Sequence, residues 1–180
     1  MKSQDKNRII ADHGCWLEID VSTRKFPDAI MKVDKGTWTF FRTIHCGRVT
    51  ACSNKRPRYL YACFSEQGKL IRFHRFVIET QVLVDHINHD GLDNRISNLR
   101  AATPSENASN HHMYKGTTSG HTGVHKHGRS WHANITKNYK TIELGIFNKK
   151  GDAIRAREEG ERKLFGAFAP KKRRQLETST

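Results

Sequence analysis

The stretch VDHINHDGLDNRISNLRAATPSEN, residues 84–107, decides how this chain is read. Gln81 to Ile87 is largely apolar and β-branched apart from Asp85 and His86, which predicts a short strand with two polar side chains at its end. The NHDGLDN that follows is dense in turn formers and predicts a loop. Leu99 to Ala102 then supplies a second short strand that closes a hairpin. In Thr103-Pro104-Ser105-Glu106, Thr suits an N-cap, Pro suits the first helical position and Glu stands three residues after the cap, which makes a capping box. The helix it opens carries Asn107 and Asn110, about one turn apart and on one face. A hairpin followed by this helix is expected to bring Asp85, His86 and Asn107 together.

Hydrolysis of a phosphodiester needs a base near neutral pH to activate water, and a hard cation to neutralise charge on the phosphate and the leaving oxygen. Histidine meets the first need. Carboxylate and carboxamide oxygens meet the second and leave positions for water and phosphate, as magnesium prefers. The segment resembles the catalytic motif of the HNH endonucleases, and its neighbours narrow the resemblance to the phage-type homing endonucleases. In that family the motif runs His, Asn, then His or Asn, positions that fall here on His86, Asn98 and Asn107. The resemblance implies that His86 is the general base, that Asp85 and Asn107 hold the metal, and that Asn98 pins the loop behind the histidine through backbone hydrogen bonds. Asn at the third position is a variant the homing branch commonly shows, so it does not imply a dead site. Either fragment alone is more simply a polar strand end or a turn. Their joint spacing, with DNR and NLR between them and a capped helix after, is what favours the site. His74-Arg75 in FHRFVIE matches a His-Arg pair that often precedes the motif in the family. Arg75 and Arg95 are each either phosphate contacts or salt-bridge partners.

From Ser119 to Gly166 the pattern predicts three short strands and one helix. Trp131, Ala133 and Ile135 alternate with His132, Asn134 and Thr136, the period of a half-buried strand. His127-Gly128 marks one hairpin. Asn148 is expected to cap a helix running to about Leu164, with Ala153, Ala156, Gly160 and Leu164 as a small-residue stripe lying close on the sheet. The segment is similar to the Apetala/ethylene-response-factor type of DNA-binding domain in its GV, W-x-A-x-I, LG-x-F and Ala-rich helix. That resemblance implies a three-stranded sheet laid in the major groove. By position, His125, His127, Asn134, Thr136, Thr141 and Glu143 would face DNA, with Lys126, Arg129 and Lys137 near phosphates. The plant proteins carry several arginines where this chain has His, Thr or Asn, so base preference does not carry over.

The fold class expected is α+β: a small β-rich amino-terminal region leading into a ββα-metal nuclease module, then a three-stranded antiparallel sheet with one helix. The divisions are a polar segment 1–13, the support and nuclease module 14–112 with its motif at 84–110, a linker 113–118, the Apetala-type domain 119–168 and a basic tail 169–180. The stretches Trp16 to Val21, Trp38 to Arg42, Tyr59 to Phe64 and Leu70 to Val77 read as strands, with Glu66-Gln67-Gly68 turning the last pair. The 180 residues carry a net charge of +14, which calls for a polyanionic partner. No long apolar run suggests a membrane span, and Met1 to His13 is too polar for a signal peptide. Cys15, Cys46, Cys52 and Cys63 show no Cys-x-x-Cys pair, so zinc is not expected and reduced thiols in a cytoplasm are. Lys171 to Arg174 is read as a phosphate contact or solvated end.

These expectations describe a site-specific, metal-dependent DNA endonuclease acting on double-stranded DNA, with magnesium as cofactor and manganese able to substitute. It is expected to be a monomeric nickase without a protein partner, in the cytoplasm of a phage-infected bacterial host. The alternative is a DNA-binding regulator that kept the fold without cutting, against which the intact Asp85, His86 and Asn107 count. RNA binding has no stacking platform or motif behind it.

Overall fold

The computed structural model describes residues 7–53, 59–109, 119–138 and 140–169. Asn110, the linker 113–118 and Lys171 to Arg174 lie outside them. The chain packs as two compact units, residues 1–101 and 102–180, and is mixed α+β with small antiparallel sheets.

In the first unit β1 (Ile9–Asp12), β2 (Trp16–Asp20) and β3 (Ile30–Asp34) form one sheet in the order β1-β2-β3. Leu17 and Ile19 of β2 pair with Val33 and Met31 of β3, and all four are buried, so strand alternation alone sets the inner face. Helix α1 (Lys35–Ile44) follows and buries Trp38 and Phe41. Trp38 to Arg42 is therefore helical and not the strand expected. Two rings spaced three apart reach a common core from a helix, whereas a strand would send them to opposite faces.

The second sheet, in the order β4-β5-β6, consists of β4 (Thr50–Ser53), β5 (Leu60–Glu66) and β6 (Lys69–Arg72). Its β5–β6 turn has Gln67 and Gly68 at φ of 48° and 77°, the two positive values that a tight hairpin favours. The strand expected from Leu70 to Val77 stops at Arg72, and α2 (Phe73–Val77) takes over. The same three-residue spacing explains this. Phe73 and Phe76 both pack on Phe41, with ring centroids 5.0 and 5.1 Å away. The thiols expected to be reduced are not all so. Cys52 and Cys63 are bonded across β4–β5, where the register makes them diagonal neighbours with Cα atoms 6.2 Å apart, while Cys15 and Cys46 are free and exposed. The unit ends in the hairpin of β7 (Leu83–His86) and β8 (Leu99–Ala102), with a 3-10 turn at Ile96–Asn98 just before β8.

The second unit begins with α3 (Pro104–Ser109), whose capping box is complete. Glu106 Oε2 accepts from the Thr103 amide and hydroxyl at 2.8 Å each, and the Glu106 amide donates back to Thr103 Oγ1 at 3.3 Å. Strands β9 (Val124–His127), β10 (Ser130–Lys137) and β11 (Lys140–Phe147) form a sheet in the order β11-β10-β9, and α4 (Lys150–Phe165) covers one face of it. The cap of α4 is Lys149 and not Asn148, since the amides of Asp152 and Ala153 in the first turn donate to the Lys149 carbonyl. Ala153 is fully buried, and the Leu144 methyls lie 3.1 and 3.2 Å from where a Cβ on Gly160 would stand, so the helix rests close on β11.

Between β7 and β8, Gly91 meets β5 backbone to side. A Cβ there would overlap the Leu60 carbonyl oxygen and come within 2.8 Å of the Tyr61 ring. Gly91→Ala is expected to cost about 1–3 kcal/mol by urea denaturation. Gly36→Ala, in helix α1 with open space around it, should be neutral or stabilising by up to about 1 kcal/mol.

Candidate functional site

Asp85 and His86 close β7, and both are buried, at 6% and 7% exposure. A carboxylate so enclosed needs a counter-charge. Arg100 of β8 supplies it from across the hairpin: its Nε and one terminal nitrogen donate to Asp85 Oδ2 at 2.8 and 2.7 Å. Arg100 had no place in the sequence reading. A single basic residue in the short strand LRAA, facing a strand that ends on Asp85, was the signal available.

The loop between the strands is held from two sides. Leu92 and Asn94 bond to the backbone of Lys32 at the edge of β3, the carbonyl of Leu92 accepting at 2.9 Å and the amide of Asn94 donating at 2.8 Å. Within the loop Asn98 is the centre. Its Nδ2 donates to Asn88 Oδ1 at 2.9 Å and to the Asp93 carbonyl at 2.8 Å, its Oδ1 accepts from the Asn88 amide at 3.0 Å, and its carbonyl accepts from the Ile87 amide at 2.9 Å. Asp93, 1% exposed, takes a forked pair from Arg95 at 2.8 and 2.7 Å and a bond from Asn88 Nδ2 at 2.9 Å. The Arg95 guanidinium also lies over the Trp16 ring, 4.8 Å from its centroid. Of the two roles open to Arg95, the geometry gives the ion pair. Arg75 stands exposed on α2.

Burial holds the His86 imidazole below its ordinary range. A hydrogen bond with Asn94 and the charges of Asp90, Asp85 and Asp93 pull the other way. The His74 ring of α2 meets the His86 ring edge to face at 5.0 Å, and Tyr61 lies 6.1 Å from His86. His74 is pushed down to about 3, first by burial and then by His86, Arg72 and Arg75. His86 is thus a neutral imidazole at neutral pH, able to accept a proton. Asn94, fully buried and close enough to bond His86, is a second residue the sequence reading missed. Its place in an Asx-rich loop gave no hint of which Asn would face the histidine.

Asn107 sits on α3, in the second unit. In the same unit the sheet face away from α4 bears His125, His132, Asn134, Thr136, Thr141 and Glu143. Thr136 and Thr141 share a hydrogen bond at 3.1 Å, and His132 bonds to both His125 and Glu143. His127 is exposed at the end of β9, and Arg129 is exposed in the turn after it. The two lysines expected near phosphates stand as follows. Lys126 pairs in register with Trp131, which packs under α4, and Lys137 Nζ donates to the Leu164 carbonyl at the end of that helix at 2.5 Å. That bond satisfies a helix-end carbonyl. Among the described residues, no three His, Cys, Asp or Glu side chains gather as a metal cage. No helix there is long and apolar enough to cross a membrane.

Arg95→Ala should cost about 3–5 kcal/mol by chemical denaturation, because it leaves Asp93 buried and unpaired. Arg75→Ala should move stability by less than about 0.5 kcal/mol. A pH effect follows from His74. Its folded pKa of about 3 lies below the ordinary 6.5, so the unfolded chain takes up the proton first. The stabilisation is complete above about 6.5 and is lost as pH falls from there towards about 3. The melting temperature of the full chain should therefore drop between about pH 7.5 and pH 5, and His74→Phe should flatten that drop.

Residues 77–109 match the family model described as HNH endonuclease. The chain is 34% identical over 118 residues to an uncharacterised HNH endonuclease of Acanthamoeba polyphaga mimivirus, a match that takes in 61% of this chain and 60% of that relative's length. No solved structure matches the chain. Asp85, His86, Asn98 and Asn107 all fall inside the segment that carries this HNH endonuclease signature.

Proposed function

We propose that the chain is a site-specific, metal-dependent DNA endonuclease of the homing type that nicks double-stranded DNA. The observation that carries this reading is a buried, neutral His86 beside a buried Asp85, at the end of a strand within the segment matching the HNH endonuclease family. His86 takes the proton from water as it attacks phosphorus, leaving a 5′-phosphate and a 3′-hydroxyl. Asn98 keeps the loop closed behind His86, and Arg100 fixes the Asp85 carboxylate by its two bonds to one oxygen. Asp85 and Asn107 offer a carboxylate and a carboxamide, hard oxygen donors that suit magnesium or manganese better than zinc. A divalent cation, were Asp85 and Asn107 to bind it, would supply charge neutralisation at the phosphate and the leaving oxygen. One such histidine per chain cuts one strand, hence the nick.

The second unit supplies target recognition in this reading. An exposed sheet face of hydrogen-bonding side chains, opposite a helix-covered face, has the form of a ribbon that enters the major groove. The net charge of +14 supports a polyanionic partner.

The deciding assay is nicking of supercoiled plasmid with and without magnesium. His86→Ala and Asp85→Ala should each lose about two or more orders of magnitude in rate with little loss of DNA affinity. Asn107→Ala should need more magnesium and be partly rescued by excess metal. Cutting at near wild-type rate by His86→Ala removes the base assignment, and equal cutting in chelator removes the metal. For recognition, Arg129→Ala should lower the logarithmic salt slope by about 0.9 while weakening all sequences alike. Asn134→Ala should leave the slope alone and cost about 1–3 kcal/mol at one base position.

A further inference from the structure

The exposed face of the β9–β10–β11 sheet carries a row of side chains whose hydrogen bonds run from strand to strand. His125 of β9 and His132 of β10 are register partners, and His125 Nε2 lies 2.8 Å from His132 Nδ1. The other ring nitrogen of His132, Nε2, meets the carboxylate of Glu143 on β11. Three titratable groups from three strands thus form one continuous chain across the sheet. His127 of β9 stands beside it, with ring centroids 6.3 Å apart from His132. Helix α4 and its charges pack on the opposite face, so among the described residues the titratable groups facing His132 are His125, His127 and Glu143.

A neutral imidazole has one N–H and one bare nitrogen, and which is which follows from its partners. The Glu143 carboxylate only accepts, so it assigns the His132 proton to Nε2. His132 Nδ1 is then bare and accepts the Nε2 proton of His125, which leaves His125 with a bare Nδ1. One added proton reverses the outer end. It binds His125 Nδ1 while the Nε2 proton of His125 passes to His132 Nδ1. His132 becomes an imidazolium paired with Glu143, and His125 is again neutral but now carries its proton on Nδ1. The net change is one positive charge, and the outer nitrogen has turned from acceptor to donor.

In the major groove that difference is read as sequence: adenine N6 and cytosine N4 are donors, whereas guanine N7 and O6 and thymine O4 are acceptors on bases that offer no donor there. We propose that the His125–His132–Glu143 chain is a proton-gated base reader, selecting an amino-bearing base when neutral and an acceptor-only base, guanine or thymine, when protonated. This rests on the sheet being the face that docks on DNA. It adds that base preference at one position depends on pH through His132. Protonation of histidines that touch no base raises affinity for every duplex alike and leaves preference unchanged.

The test is selection from a random duplex library by the full chain in chelator, at about pH 8.5 and about pH 5.5. Melting temperatures verify that each variant is folded. Wild type should keep its preferences at all positions but one, where adenine or cytosine gives way to guanine or thymine with about a tenfold change in discrimination. His132→Phe should abolish that change and retain the other positions. Glu143→Gln, whose carboxamide both donates and accepts, should take either base at both pH values. A wild-type preference identical at the two pH values, or a change that survives in His132→Phe, overturns the proposal. Asn134→Ala separates this failure from that of the underlying reading. If it alters no position at either pH, the sheet does not read DNA and the relay falls with it. If it alters one position while wild type is pH-invariant, the relay alone is wrong.

Discussion

Two carboxylates are taken out of water in the β7–β8 hairpin, and the local structure is organised around keeping each of them paired. Burying a lone charge costs several kcal/mol even after relaxation, and a pair with good geometry recovers it. Asp93 is served by Arg95, two residues on, in a forked pair. Asp85 is served by Arg100, on the opposite strand. The first pair bends the loop back on itself. The second ties the strands together at the point where His86 emerges. With Asp93 so fixed, the backbone of its neighbours is free to bond the edge of β3, and the first sheet becomes the anchor of the loop.

The same enclosure sets the electrostatics of His86. Three carboxylates nearby favour its charged form, and burial opposes them and prevails. The outcome is a neutral ring held by Asn94 and flanked by the His74 and Tyr61 rings, in a setting that also keeps His74 neutral. His74 Nδ1 is buried with no hydrogen-bond partner among the described residues, so a polar atom with uncommitted bonding capacity stands beside this ring. Such a setting is in keeping with the base role proposed for His86.

The second unit solves a different problem, a sheet with two unlike faces. Ala133 and Val124 meet the small-residue side of α4, where Ala153 and Gly160 allow close approach. A bulge between Ala133 and Asn134 shifts the β11 register, so Glu143 stands opposite Asn134 and reaches His132. Without that shift the strand-to-strand chain of His125, His132 and Glu143 would not close.

Much of this was legible in residue order. The capping box of α3, the β7–β8 hairpin, the Gln67-Gly68 turn and the three-stranded sheet with its helix follow from local chemistry: side-chain caps, positive-φ turns and strand alternation act within a few residues. Asp85, His86 and Asn98 were legible as a set through their spacing. Position in space was not. Trp38 to Arg42 and Phe73 to Val77 read as strands by composition, yet fold as helices because their rings must converge on Phe41 from distant parts of the chain. Arg95 became a structural partner, Arg100 entered the site, Lys137 turned to the end of α4, and Cys52 met Cys63, all through contacts whose partners depend on packing and register. A short sequence determines what a residue is able to bond. Which bond it makes is decided by the groups that tertiary packing brings near it and by the charges that burial leaves needing a partner.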